Sequence, residues 1–561
     1  MSDTSGIPRV NIIFTTDIHG NYFPYDFRHG CKGKGSLQRV HAFVAQEVGR
    51  LPGPTLLIDG GDLLQGSAAA YYLNFIAPHT EGHRVADFCN FIGYDVGVLG
   101  NHDIEMGREV LGRFIGSCHF PILGANVIDE RTGKCALDPY IILSRGGKRI
   151  AVVGFVTPAI PHWMPQSVWE GWRFEDITDC ARRIIAHLRQ TEQPDCIVGV
   201  FHSGMDEGII TPDYRENAVR HTIECVEGFD LVLYGHDHCA HCEEVTDPTG
   251  RSVLCVNPGS EAHCVAEVTI LFPPEGHPQP QARVCYIGKV GGAHARAFSR
   301  HFKRDQDAVV AWSQQRIGTL LSPIDASESY FGSSAYIDFI QQLQLDISGA
   351  DIAFSAPLFF TARIEAGDIS IGDLFNIYRF EDKLYTLRLS GQEVKDYLEM
   401  SYALWTNQMH SPQDHLLLLS PMKNNPARLG FTNFIFNFDA AAGLLYEVDL
   451  REPPGRKVRI QGLADGRPFR LDASYLVAMT AYRANGGGEL LTKGAGIPKD
   501  DIPDRMVACT CHDVRHYMMD HLQHSQRVDP QPAHNWRFVP DDWALPAAAR
   551  DYDALFNPHR P

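Results

Sequence analysis

Seven residues with metal-ligating side chains fall at corresponding places along the first half of the chain: Asp17, His19, Asp62, Asn101, His202, His236 and His238. Each follows an apolar run. The run 10–14 stops at Thr15-Thr16-Asp17, and 55–58 stops at Asp59-Gly60-Gly61-Asp62. The run 95–99 ends in Gly100-Asn101-His102-Asp103, 196–200 ends at Phe201-His202-Ser203, and 230–234 ends in Gly235-His236-Asp237-His238. If the runs are strands of an α/β sheet, these residues share the edge where ligands bind, outside the carboxyl ends of the strands. The donors are carboxylates, an amide oxygen and imidazoles, with no thiol needed. Such a set suits Mn, Zn, Fe, Co or Ni better than Ca or Cu(I). Seven donors exceed the need of one tetrahedral ion. A carboxylate shared by two ions resolves the surplus, and two ions about 3.5–4 Å apart form the usual clamp for in-line displacement at phosphorus.

Taken singly, each motif has a bland reading. Asp-x-His is common, Gly-Asn makes ordinary turns, and Gly-His-Asp-His fits a surface turn. A His after a strand is more often a satisfied structural residue. The order and the repeated strand-end placement are what single the set out. Cys239-x-x-Cys242 follows the last motif, but no second Cys pair stands at zinc spacing, so these read as free thiols.

The elements that must position these residues alternate. Leu37, Val40, Val44 and Val48 recur at helical spacing, as do Ile177, Ala181, Ile184, Ile185 and Leu188. A further strand is expected at 149–155. Strand and helix in alternation define an α/β layered domain. After about residue 270 the texture changes. A Pro- and Gly-rich stretch (272–280) precedes a return strand at 282–288, and 300–321 reads as a polar connecting helix. A second domain follows, with helices expected at 335–345 and 391–402 and strands at 351–355, 383–389, 443–450 and 474–482. Beyond Pro540 the chain is rich in Ala, Asp and Pro and is expected to be loosely held.

Composition sets the outer bounds. With 561 residues the chain can bury several cores without disulfide or metal staples. Hydrophobic residues make up 44% and charged residues 21%, as in globular proteins. The net charge of −18 argues against a nucleic-acid polymer as partner, because phosphate backbones select excess Lys and Arg. No apolar run reaches the roughly 18–20 residues needed to cross a bilayer, so no membrane partner is expected. The N-terminus shows neither a basic segment nor an apolar core of a secretory leader, and the 14 scattered Cys fit a reducing compartment. The expected location is the cytoplasm, or the periplasm if the sequence is a trimmed form.

The set Asp17-x-His19, Gly61-Asp62, Gly100-Asn101-His102-Asp103, His202 and Gly235-His236-x-His238 resembles the calcineurin-like metallophosphoesterases. Asn485-Gly486-Gly487-Gly488 resembles the Asn-Gly-Gly-Asp loop of 5′-nucleotidases, and the segments 369–375 and 384–391 resemble their substrate domain. The resemblance implies a four-layer α/β/β/α metallophosphoesterase domain (8–298), a linker helix (299–322), an α/β substrate-binding domain (323–540) and a tail (541–561). It implies two divalent ions, Mn, Zn, Co or Fe. One would be held by Asp17, His19, Asp62 and His238, the other by Asp62, Asn101, His202 and His236, with Asp62 bridging. His102 takes the place of the family's catalytic histidine. Glu105 stands where its partner is usually Asp. In the second domain the resemblance assigns Phe438 and Tyr482 to sandwich a base, Arg363 to contact the substrate's anionic part, and Asn485 and Gly487 to the substrate loop. Gly488 departs from the family's ribose-binding Asp, and Glu489 is the neighbouring substitute.

The implied activity is hydrolysis of nucleotide phosphate monoesters by metal-activated water, of the 5′-nucleotidase kind, extending to 2′,3′-cyclic nucleotides. The partner is a small phosphate ester. A phosphatase for a sugar phosphate or other small metabolite is the alternative nearest in chemistry, and a sulfur-compound hydrolase on the same scaffold a more distant one. A non-catalytic metal-dependent binding or sensor protein is the alternative outside enzymology.

Overall fold

The computed structural model of the chain describes residues 7–557 except 29, 78–81, 213, 379 and 423–424. The first six residues of the segment read for a leader, and the last four of the expected tail, lie outside them. The chain divides into two compact units, Met1–Ser313 and Gln314–Pro561.

The first unit contains two six-stranded sheets. One runs in the order Gln279–Tyr286, Cys264–Leu271, Arg9–Thr15, Thr55–Asp59, Val96–Val98, Ile122–Leu123. The other runs His241–Thr246, Ser252–Asn257, Leu231–Tyr234, Cys196–His202, Lys148–Val156, Tyr140–Arg145. The central strands of each are parallel, so their carboxyl ends gather at one edge. The sheets pack face to face on alternate residues. Val10, Ile12, Phe14, Leu56 and Ile58 of the first share a core with Val152, Val198, Val200, Leu231 and Leu233 of the second. The opposite set of the second sheet (Ala151, Val153, Phe155, Ile197, Phe201) packs on Ile177, Ala181, Ile184 and Ile185 of the helix Ile177–His187. Ile13 and Leu57, on the other face of the first sheet, are buried too. The helix Leu37–Glu47, capped by Ser36, is the crossover between the parallel strands Arg9–Thr15 and Thr55–Asp59, and such crossovers lie on a face of their sheet, here the one the second sheet leaves open. This is the expected four-layer arrangement.

The second unit is built on a five-stranded sheet in the order Ala440–Ala442, Ile352–Ser355, Ser474–Thr480, Lys383–Ser390, Met506–Asp513. The helices Ala335–Ser348 and Gly391–Trp405 fall where expected. Both start on a Ser cap, Ser334 and Ser390, whose side chain accepts an N–H of the first turn.

Two expectations are corrected. The connecting helix stops at Ser313, and Arg316–Leu320 is a strand paired with Gly367–Ser370, so Ile317 and Leu320 are strand rather than helix residues. The segment after Pro540 is not a loose tail. Asp541–Phe556 forms a helix whose Ala544, Ala547 and Leu555 are buried in the core of the second unit. Its Asp551 is fully buried, accepts the Leu417 N–H and faces His415 Nδ1.

Candidate functional site

All seven predicted ligands stand at or just beyond strand ends of the first unit, and the geometry brings them together. Asp17, Asp62 and His202 form one tight group, and Asp17, His19 and His238 another; within each, the ligand atoms lie within 4.8 Å of one another. Asp62 Oδ2 is 3.1 Å from His202 Nε2 and 3.8 Å from His19 Nε2. His238 Nε2 is 3.3 Å from Asp17 Oδ1, and Asn101 Oδ1 is 3.0 Å from His202 Nε2. His236 lies alongside, its ring centre 5.4 Å from that of His202 and its N–H donating to Asp17.

The backbone is bent to achieve this. Asp17, His19, Asp62, His236 and His238 all have positive φ, between 48° and 78°. Side chains rarely adopt that region, and such residues cluster where a site over-determines them. Asp103 fastens two of the loops together. Its carboxylate accepts the N–H groups of Asp62, Leu63, Leu64 and Gly100 at 2.9–3.0 Å, tying the Asp62 turn to the turn that starts the helix Asn101–Glu105.

The donor chemistry fits metal ions. His202 Nδ1 sits 2.7 Å from the Gly60 carbonyl, which can only accept, so that nitrogen carries a proton. Its Nε2 then faces a carboxylate and an amide oxygen, and the pocket calls for positive charge there. Burial works against the charged imidazole, yet Asp62 and Asp17 push its pKa up to about 10. Asp62 is itself held well below the usual carboxylate range: burial opposes ionisation, but His202 and His102 outweigh it. His19 is pushed down to about 3 by burial and by His238, whose Nε2 is 2.9 Å from its own. Asp62 Oδ2 is buried among these imidazoles, 3.1 Å from His202 Nε2 and 3.8 Å from His19 Nε2. A buried carboxylate is costly unless positive charge meets it. Divalent metal ions held by these side chains would supply that charge.

His102 sits beside the cluster, its ring 5.5 Å from His19, and its Nδ1 is 2.5 Å from Glu105 Oε2. The longer Glu therefore reaches the imidazole from the i+3 position. Burial opposes the charged form, but Asp62 and Glu105 raise the pKa of His102 to about 9.

In the second unit the expected residues part company. Tyr482 is half-buried at the start of the short helix Ala481–Ala484, and Asn485 closes that helix by donating to Ala481 O at 2.7 Å. Gly487 is close-packed, since a Cβ there would lie 2.5 Å from the Tyr482 ring. Phe438, expected to sandwich a base, is instead fully buried, its ring parallel to Trp405 at 5.7 Å. The exposed ring next to Tyr482 is Phe436, edge-on at 6.1 Å and stacked on Phe434. Arg363 is exposed and paired with Asp325 and Glu365. Gly488 has its own reason: a Cβ there would lie 2.2 Å from Arg483 Nη1 and Asn437 Oδ1, so an Asp does not fit. Glu489 pairs with Lys493 at 2.7 Å. Sequence reasoning missed Phe436, although the alternation Phe434-x-Phe436-x-Phe438 held the signal. It also missed Arg483 and Asp103, whose roles depend on contacts distant in sequence.

Residues 10–240 match the family model for calcineurin-like phosphoesterase, and residues 310–493 match that for the 5′-nucleotidase C-terminal domain. The chain is a calcineurin-like metallophosphoesterase carrying a 5′-nucleotidase C-terminal domain, and hence a metal-dependent phosphoester hydrolase. Among its relatives, the trifunctional nucleotide phosphoesterase protein YfkN of Bacillus subtilis (strain 168) is 25% identical over 600 residues, and the match covers 96% of this chain but 40% of that protein. A 2′,3′-cyclic-nucleotide 2′-phosphodiesterase/3′-nucleotidase of Salmonella typhimurium is 24% identical over 604 residues, covering 95% of this chain and 89% of that one. The crystal structure of a 5′-nucleotidase precursor from Thermus thermophilus shares the fold, with a TM-score of 0.66 at 20% identity over 95% of this chain and 99% of that chain. Among the described residues no helix is long and apolar enough to cross a membrane.

Proposed function

We propose that the protein hydrolyses phosphate esters of nucleotides, with 5′-nucleotidase-like monoesterase activity that extends to 2′,3′-cyclic nucleotides. The observation that carries this reading is Asp62, whose buried carboxylate stands among the imidazoles, Oδ2 3.1 Å from His202 Nε2 and 3.8 Å from His19 Nε2, beside Asp17. Two divalent ions bound by Asp17, His19, Asp62 and His238 and by Asp62, Asn101, His202 and His236 would polarise the phosphoryl oxygens and lower the pKa of the attacking water. The chain supplies the rest. His102, held by Glu105 through Nδ1, keeps a proton on Nε2 and offers it to the leaving oxygen. Asp103 keeps the Asp62 and Asn101 turns at a fixed separation. Tyr482 and Phe436 offer aromatic surface for a base, with Asn485 and Gly487 shaping the loop beside them. Arg363, engaged by two carboxylates, meets an anionic substrate only by exchanging those partners. The 14 free cysteines support a reducing compartment such as the cytoplasm.

One observation favours a second reading, a phosphatase for a sugar phosphate or other small metabolite: the loop places no carboxylate at Gly488 to hold a ribose. A phosphate-release screen over nucleoside monophosphates, 2′,3′-cyclic nucleotides, sugar phosphates and an aryl phosphate, with Mn, Co, Zn or Mg added, separates the two. The nucleotide reading expects the highest kcat/KM on a nucleotide. Highest turnover on a sugar phosphate would replace it.

A further inference from the structure

The two histidines assigned to the second ion present opposite ring nitrogens, and an oxygen acceptor fixes each choice. His202 is held by the Gly60 carbonyl at Nδ1. His236 is held at the other nitrogen: its Nε2 lies 3.3 Å from Glu216 Oε1. A carboxylate accepts and does not donate, so the proton sits on His236 Nε2 and the lone pair on Nδ1.

Glu216 is not a loose surface acid. Its other oxygen, Oε2, accepts the Ile209 N–H at 2.7 Å. Its own N–H donates to Ile209 O at 2.8 Å, and its carbonyl accepts from Ser203 Oγ at 2.7 Å and Thr157 Oγ1 at 3.1 Å. Gly208 lets the loop close on the carboxylate, because a Cβ there would sit 2.7 Å from Oε2. On one face of the His236 ring lies Trp163, nearly parallel at 5.7 Å. The ring is thus fixed in plane by Trp163 and in rotation by Glu216.

We infer that Glu216 is a positioning residue of the second metal site: it accepts from His236 Nε2 and so presents Nδ1 to the ion. The inference rests on the dinuclear reading above. Carboxylate partners of this kind set tautomer and ring orientation, and their loss typically costs about 10–100-fold in metal affinity.

The test is titration of metal-stripped full-length protein with Co²⁺, followed by calorimetry and by the visible absorption of the bound ion. Wild type should take two equivalents. Glu216→Ala should weaken one of them by about 10–100-fold, leave the other unchanged, and alter the absorption of the weakened site alone. Glu216→Gln should recover only part of the affinity, since its one amide oxygen can accept from Nε2 only with its NH2 turned against the Ile209 N–H. Glu216→Asp, which keeps the charge but withdraws it by one methylene, should weaken the same equivalent and covers the case in which the Ala variant fails to fold. Two equivalents at wild-type affinity in both Ala and Asp variants would overturn the inference while leaving the dinuclear site standing. Outright loss of an equivalent in Glu216→Ala, far beyond the roughly 100-fold range, would also overturn it, by making Glu216 a direct ligand. Fewer than two equivalents in wild type would overturn the dinuclear reading, and this inference with it.

Discussion

Arg483→Met should damage the second unit in a way that a partner mutation partly repairs. Arg483 and Asp439 are both buried, at 3% and 1% side-chain exposure. The guanidinium donates to both Asp439 oxygens at 2.9 Å, to Asn437 Oδ1 and Gly487 O at 3.0 Å, and to Phe436 O. Removing one partner of such a pair leaves an uncompensated buried charge, which costs about 3–5 kcal/mol. At about 2–4 °C per kcal/mol for a unit of this size, the calorimetric transition of the second unit should fall by about 6–20 °C. Arg483→Met combined with Asp439→Leu leaves no buried charge and should recover part of that loss, the remainder reflecting the Tyr397 hydroxyl and the Asn437, Gly487 and Phe436 oxygens left without partners. Arg483 also ties the carbonyl of Phe436 to that of Gly487, which packs on Tyr482. Ordering a side chain on binding costs about 0.5–1.5 kcal/mol, so freeing both rings should raise KM for a nucleotide by about 5–150-fold. Turnover of an aryl phosphate, which has no base, should change by less than about twofold. A transition in Arg483→Met within about 2 °C of wild type, or a double variant as damaged as the single one, would refute the reasoning.

Replacing His102 by Ala should lower kcat by about 10²–10⁴ while metal content is retained, and Glu105→Gln should cost less; metal analysis beside steady-state kinetics checks both. Tyr482→Ala and Phe436→Ala should each raise KM for a nucleotide by about 5–150-fold, the range for a lost stacking ring. Phe438→Ala should instead cost about 3–5 kcal/mol of stability, measurable by denaturant unfolding, because its ring is core. Lys457 is buried against Thr406 Oγ1 and the Asn407 carbonyl, and burial lowers its pKa to about 8. The folded state then binds fewer protons than the unfolded one between about pH 8 and 10.5. Wild type should therefore gain on the order of 3 kcal/mol relative to Lys457→Met as pH rises through that window, followed by chemical denaturation at fixed pH values.

The strand-end clusters were legible because polar residues interrupt apolar runs at the same place in five strands, and a parallel sheet collects such ends at one edge. What failed depended on register or on distant contacts. Phe434, Phe436 and Phe438 alternate as in a strand, but the one-turn helix Ile435–Asn437 rotates Phe438 into the core and leaves Phe436 outside. In the stretch 316–320 Ile317 and Leu320 stand at the i, i+3 spacing of a helix, but pairing with Gly367–Ser370, through a register shift between Arg316 and Gly318, makes it strand. The terminal helix was hidden by its composition: Pro546 and four Asp read as a tail, while Ala544, Ala547 and Leu555 form the buried stripe. Glu216 and Asp103 look like any other acids until the loops close around them.

Metal content of Asp62→Ala tests the central claim most directly. Asp62 is assigned to both ions, so the purified variant, dialysed against excess Mn²⁺ or Co²⁺ and then against buffer, should hold neither equivalent and release no phosphate, while wild type holds two. Two equivalents retained by Asp62→Ala would contradict the bridging carboxylate on which the account rests.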